Sequence, residues 1–190
     1  LFILGKTVSL KGEEGLIFRT RKAEAILYYL VIVARAVDRT TLAEIFWPNM
    51  TTVNAQKNLR AILPDLRASL GDYLIFTAQE ISFNQQLEHW VDYYQLRQLL
   101  LDSSLAGTTK LARYEELYQG ELLARLNVAN TPDFEMWLAQ QREELAQNNA
   151  EMLQALAEHS WQQGTFKLGL EATRLWLALQ PWAEQAHRLR

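Results

Sequence analysis

VNAQKNLRAILPDLRASL, residues 53–70, is the stretch on which the interpretation of the whole sequence depends. Its large apolar residues recur at the spacing of one helical face, namely Leu59, Ile62, Leu63, Leu66 and Leu70. Apolar residues repeated at intervals of three and four predict an amphipathic helix that buries this side. Gly71 follows directly and is a common helix stop. We therefore predict a helix from about Val53 to Leu70.

The opposite side of this predicted helix is small or polar. Its members are Asn54, Lys57, Ala61, Pro64 and Ala68, with Arg60 and Arg67 on one flank. A helix that enters the major groove needs small or polar groups toward the bases and cations beside the phosphates. The pattern fits such a helix, and it also fits an ordinary amphipathic helix with a solvated face.

Two residues in the second half of the stretch count against a groove helix. Pro64 removes one hydrogen bond and clashes with the preceding turn, at a cost of roughly 3 kcal/mol unless the helix bends. Asp65 adds repulsion wherever it approaches a phosphate. We therefore expect residues 54–63 to form the part that contacts a ligand.

The elements around this helix follow a recognisable order. Residues 1–10 predict a strand broken at Gly5, a helix begins at Arg21, and a shorter helix follows the turn at 37–41. After the third helix come two β-like runs, 73–76 and 81–83, around a polar turn. A strand, three helices and a terminal hairpin are the elements of a winged helix, which we assign to residues 1–87.

Residues 88–190 predict only helices, joined by short connections that contain Gly or Pro. The predicted helices are 91–102, 109–118, 132–146, 148–163, 166–178 and one that starts at 182. Ala157, Gly164, Phe166, Gly169 and Pro181 follow the spacing of a tetratricopeptide repeat, in which small residues let two helices approach and Phe166 fills the wedge between them. A plain helical hairpin is the alternative. The predicted fold class is thus mainly α with small β elements, a winged helix followed by a tetratricopeptide-like domain.

Composition excludes several classes of protein. The 190 residues contain no cysteine, and the three histidines lack ligand spacing, so neither disulfides nor a metal site is expected. The longest apolar run, 25–34, is half the length of a membrane span. No phosphate loop or catalytic constellation is visible, so we expect no cofactor and no enzyme.

The charge is distributed unevenly along the chain. Residues 1–87 carry 10 Lys/Arg against 8 Asp/Glu, whereas residues 88–190 carry 9 against 14. Charge alone therefore does not indicate DNA binding.

Short motifs along nearly the whole chain resemble the bacterial transcriptional activator domain family, which includes the antibiotic regulatory proteins (SARPs). The matching pieces are Arg21-Lys22-Ala23, Leu42-Ala43-Glu44-Ile45-Phe46-Trp47-Pro48, Asn58 to Arg67, Trp90-Val91-Asp92, Leu117 to Leu123, Phe134-Glu135-Met136-Trp137 and Trp176 to Pro181. The resemblance implies an OmpR-type winged helix and a tetratricopeptide-like activator domain. It implies a cytoplasmic regulator that binds promoter DNA, as a dimer on direct repeats, and contacts RNA polymerase.

The resemblance also assigns roles to individual residues. Lys57, Arg60 and Ala61 would face the groove, Arg67 would hold a phosphate, and Thr77 would lie on the wing. Asn54, Arg21 and Lys22 complete the candidate DNA contacts, and the 47–52 loop would meet RNA polymerase. The Pro-containing helix resembles that of family members in which these two domains precede a larger STAND-type ATPase region, and the end of the chain inside a helical pattern fits that expectation. The alternative is a protein-interaction or sensor module whose winged helix docks protein.

Overall fold

A computed structural model of the chain describes residues 1–5, 10–11 and 14–189. The protein is mainly helical, with one small three-stranded sheet and one two-stranded ribbon. The helices are α1 (Arg21–Val33), α2 (Arg39–Phe46), α3 (Thr52–Leu70), α4 (Asp92–Leu101), α5 (Gly107–Leu117), α6 (Pro132–Gln162), α7 (Phe166–Leu179) and α8 (Glu184–Leu189). The strands are β1 (Leu10–Lys11), β2 (Glu14–Gly15), β3 (Val37–Asp38), β4 (Leu74–Phe76) and β5 (Glu80–Phe83).

Local capping interactions explain where the first two helices begin. The Thr20 hydroxyl accepts a hydrogen bond from the Ala23 N–H at 3.1 Å at the start of α1. The Asp38 carboxylate accepts from the Thr40 N–H at 2.7 Å at the start of α2. Each cap satisfies a backbone donor that the first helical turn leaves without a partner. The three predicted helices of the first half are confirmed.

α3 is a single helix through Pro64, and the chain leaves it at Gly71, whose φ of 57° favours glycine. Pro64 is exposed, so the carbonyl that its ring leaves without an intrahelical donor lies at the solvent side of the helix. The predicted helix from about Val53 to Leu70 is therefore confirmed.

The three-stranded sheet is antiparallel, in the order β3–β5–β4. The β4–β5 hairpin directly follows α3, and Ile81 pairs with both Val37 on β3 and Phe76 on β4. Ile81 and Val37 are buried against the helices. The two predicted β-like runs are confirmed, and the sheet ties the hairpin to the turn that precedes α2.

The N-terminal segment pairs with the second half of the chain. Leu4 forms an antiparallel bridge with Leu122, and the Leu123 N–H donates to the Ile3 carbonyl at 2.7 Å. Gly5 has a φ of +72°, and a Cβ there would lie 2.2 Å from the Gln119 carbonyl oxygen, so only glycine permits this approach. The predicted strand over 1–10 lies partly outside the described residues. Its first residues are held by a segment more than a hundred positions away.

The second half contains one long helix where we predicted two. α6 runs unbroken over Pro132–Gln162, so the predicted division into 132–146 and 148–163 is wrong. Asparagine has a low intrinsic helix propensity, but Leu145, Ala150 and Leu153 around Asn149 pack in the core, and this packing overrides that preference. The other predicted helices of this half agree within about two residues at each end.

α6 and α7 form a helical hairpin, and small residues lie where the two helices meet. Ala157 is buried, and a Cβ on Gly169 would lie 3.2 Å from the Trp161 ring, so the small residues are needed for this approach. Phe166 is 57% exposed and lies against Trp161, with ring centroids 5.1 Å apart. The prediction that Phe166 fills the wedge is therefore wrong, because Trp161 lies against Gly169 instead.

The two halves share one hydrophobic core. At their contact lies an aromatic group that we term the junction cluster, formed by Tyr29, Phe46, Phe134 and Trp137. Tyr29 lies 4.5 Å from Trp137 and Phe46 lies 5.0 Å from Phe134, measured between ring centroids. α1 and α2 are thereby packed on the first two turns of α6.

Candidate nucleic-acid interface

α3 is held in place by its apolar side. The buried residues of the helix are Ala55, Leu59, Leu63, Leu66 and Leu70, which pack with α1 and α2. Because these positions recur every three or four residues, they lie on one side and force the remaining positions outward. The opposite side of α3 is thereby fixed on a rigid support.

We use the term open face for the exposed side of α3. Its residues are Asn54, Lys57, Ala61, Pro64 and Ala68, and all five are exposed. Ala61 and Ala68 are small, and Lys57 has the one long side chain among the five. The structure thus brings together the predicted groove residues Asn54, Lys57 and Ala61 on one accessible surface.

One flank of the open face carries two exposed arginines. The Arg60 Nε donates to the Gln56 carbonyl of the same helix at 3.3 Å. The Arg67 guanidinium lies over the Phe76 ring of β4, 4.5 Å from its centroid. An arginine on an aromatic ring keeps its N–H edges available to other acceptors. This contact joins the cationic flank of α3 to the hairpin.

The other flank carries Asp65, and sequence reasoning missed its partner. The Arg19 backbone N–H donates to Asp65 Oδ2 at 3.1 Å, and Arg19 Nε lies 3.3 Å from Asp65 Oδ1. The carboxylate side chain is 17% exposed, whereas that of Arg19 is 87% exposed. The negative charge that counted against DNA binding therefore has a cation beside it. A pairing over 46 residues left no local signal in the sequence.

Arg21 and Lys22, the candidates at the start of α1, have different surroundings. Arg21 is exposed and donates to Glu24 Oε2 at 2.8 Å, an interaction that raises the pKa of the guanidinium. The Lys22 ammonium donates to the Phe46 carbonyl and lies 4.9 Å from the centre of the Trp47 ring. Burial lowers the pKa of Lys22. Lys22 thus covers the end of α2, whereas Arg21 lies exposed at the surface in its ion pair with Glu24.

Thr77, the candidate in the β4–β5 hairpin, stabilises the turn. Its hydroxyl accepts from the Glu80 N–H at 2.9 Å, and its own N–H donates to the Glu80 carbonyl at 3.0 Å. The residue is exposed at the tip of the hairpin and directly follows Phe76, the last residue of β4. Thr77 is therefore accessible, while its hydroxyl already serves the turn.

The 47–51 turn leads into α3 and carries apolar side chains at the surface. Trp47 is buried, whereas Met50 and Val53 are exposed large hydrophobic residues. They lie at the N-terminal end of the open face because Val53 is in the first turn of α3. This turn is the segment for which we predicted a contact with RNA polymerase.

Other site chemistries find little support within residues 1–5, 10–11 and 14–189. No group of three or more His, Asp or Glu side chains there could hold a metal ion. None of the helices in that part has both the length and the apolar character needed to cross a bilayer.

The sequence matches no protein-family model and no curated protein. The resemblance to the bacterial transcriptional activator domain family therefore stays a prediction.

Proposed function

We propose that this protein is a sequence-specific DNA-binding transcription regulator that places α3 in the major groove. The observation that carries the proposal is the open face, a small and cationic helix surface on a rigid apolar support. A bare helix of this kind can approach base edges while its flanking arginines reach phosphates. Residues 1–87 would then be a winged helix with the β4–β5 hairpin as its wing.

Individual contacts follow from the positions of the side chains. Lys57 and Asn54 would face the groove, and Ala61 would allow close approach and contact a thymine methyl group. Arg60 and Arg67 would bind the phosphates of one strand, and Arg21 and Thr77 would contact the backbone at the periphery. Lys22 drops out of the proposed contacts because its ammonium is engaged at the end of α2.

The second half would act as a tetratricopeptide-like activator domain. The close α6–α7 approach at Ala157 and Gly169 supports this assignment. In this proposal the protein binds direct repeats as a dimer, and the exposed Met50 and Val53 contact RNA polymerase. The regulator is not an enzyme and needs no cofactor in this scheme.

The test is a salt titration of duplex binding, monitored by fluorescence anisotropy, with a duplex of about 30 base pairs selected by this protein from a random pool and with an unselected duplex of the same length. Each phosphate contact contributes about 0.9 to the slope of log affinity against log salt concentration. We expect Lys57→Ala and Arg60→Ala each to lower affinity and Arg60→Ala to lower the slope by about 0.9. Lys167→Ala and Arg113→Ala remove exposed cations of the second half and serve as matched controls.

Two results would overturn parts of the proposal. If wild type and control variants bind duplex equally and the α3 variants match them, the groove assignment is wrong. If wild type binds no duplex at low salt, DNA binding itself is wrong. That outcome would favour the second candidate function, protein docking, which the exposed apolar Met50 and Val53 beside the open face support.

A further inference from the structure

The two flanks of α3 differ in charge. Successive residues of an α-helix are separated by about 100°, so Arg60 and Arg67 lie on one side of Ala61 and Asp65 on the other. The exposed Lys57 is near the first flank. By itself, α3 therefore offers cations to one wall of a groove and a carboxylate to the other.

A helix seated in the major groove lies between two phosphate backbones, and its flanks face opposite walls. Arg19 supplies the charge that α3 lacks on the Asp65 side. Two contacts hold it there, one from the backbone N–H and one from Nε. A guanidinium has five N–H donors, and no further partner of the Arg19 side chain is found among the described residues. Its terminal nitrogens can therefore reach outward.

We infer that Arg19 binds a DNA phosphate on the groove wall opposite Arg60 and Arg67, and that Asp65 is the residue that positions it. This inference rests on the proposed function. Asp65 restrains the loop before α1 by accepting its backbone N–H, so the arginine is presented from a fixed point. The carboxylate thus becomes part of the DNA-binding surface by orienting a cation.

The experiment measures duplex affinity and its salt slope for Arg19→Ala in two backgrounds, wild type and Asp65→Asn. In 0.1 M salt we expect Arg19→Ala to weaken binding roughly eightfold and to lower the slope by about 0.9, the effect of one phosphate. Asp65→Asn keeps an acceptor for the Arg19 N–H, so Arg19 stays positioned and the slope should not fall in this background. Arg19→Lys should retain the slope.

The Asp65→Asn background separates two roles of Arg19. If Arg19 only neutralises the carboxylate, Arg19→Ala has no effect once that carboxylate is gone, and the inference is overturned. An eightfold loss in both backgrounds supports a direct phosphate contact. Arg174→Ala is the matched control, because Arg174 is 75% exposed and forms an ion pair with Glu115 at 3.9 Å. A wild-type protein that binds no duplex overturns the proposed function, and this inference with it.

Discussion

The open face of α3 and the contact between the two halves differ in the types of side chain that form them and in their burial. The contact between the halves is buried, and aromatic side chains form it at the junction cluster. Its buried carboxylate, that of Asp92, accepts hydrogen bonds from backbone N–H groups. The open face has small or cationic side chains in solvent. Buried polar groups whose hydrogen bonds are made within the protein contribute to stability. Exposed cations contribute little to stability and remain available to a ligand.

This contrast predicts a separation of effects. Substitutions at the contact between the halves should change the free energy of unfolding and leave the salt slope of the proposed DNA binding unaltered. Substitutions on the open face and its flanks should change the salt slope and leave the free energy of unfolding nearly unaltered. A residue that violates the separation would show that the two regions are coupled.

Phe134→Ala should have the largest effect. Phe134 is almost fully buried against Phe46, and truncation of a buried phenylalanine costs about 3–5 kcal/mol of unfolding free energy. Urea unfolding followed by circular dichroism measures the loss. Met136→Ala on the same helix is the control, because Met136 is 69% exposed and its truncation should change stability by under about 0.5 kcal/mol. Equal losses from both variants would contradict the assigned packing.

Asp92→Ala should destabilise the protein by a smaller amount. The Asp92 carboxylate accepts from the Ile3 and Leu4 N–H groups at 2.8 and 2.9 Å, and all three residues are buried. Donors left without a partner cost about 1–3 kcal/mol each, so we expect a loss of about 2–3 kcal/mol after relaxation. Asp92→Asn retains an acceptor and should lose less. The ordering of the two variants in urea unfolding checks this contact.

Asp92 also predicts a pH dependence. Burial raises the pKa of its carboxyl above the ordinary 3.8, against the opposing effect of the backbone hydrogen bonds. A raised folded-state pKa means that the unfolded state releases this proton more readily, so the contribution of Asp92 to stability falls as pH rises from about 3.8 through the raised pKa. The stability of wild type relative to Asp92→Asn should therefore decline over this window. A difference that grows with pH would contradict the direction of the shift.

Arg67→Ala should affect stability less than Phe134→Ala and Asp92→Ala. An exposed cation–π contact such as that with Phe76 contributes about 0.5–1 kcal/mol. Arg67→Lys keeps the charge and should preserve most of the duplex affinity, while Arg67→Ala should lower the salt slope by about 0.9 if Arg67 binds a phosphate. A loss of stability as large as that of Phe134→Ala would place Arg67 with the contact between the halves.

Helices and hairpin strands of the first half could be predicted because their signals are local. Leu59, Leu63 and Leu66 recur at helical spacing, and Gly71 follows the last turn. The candidate site was predictable to the same extent, since Lys57 and Arg60 must lie opposite an apolar stripe. The unbroken α6 was not predictable in this way, because the packing of Leu145 and Leu153 in the core overrides the weak helix propensity of the asparagines between them.

The amino-acid sequence by itself determined the open face of α3, through periodicity and the helix stop at Gly71, which act over a few residues. The tertiary structure decided what surrounds that face. Asp65 meets Arg19, Lys22 turns toward the end of α2, and Leu4 pairs with Leu122. These partners are distant in sequence, and their meeting depends on how the helices pack around one shared core, which no local pattern encodes.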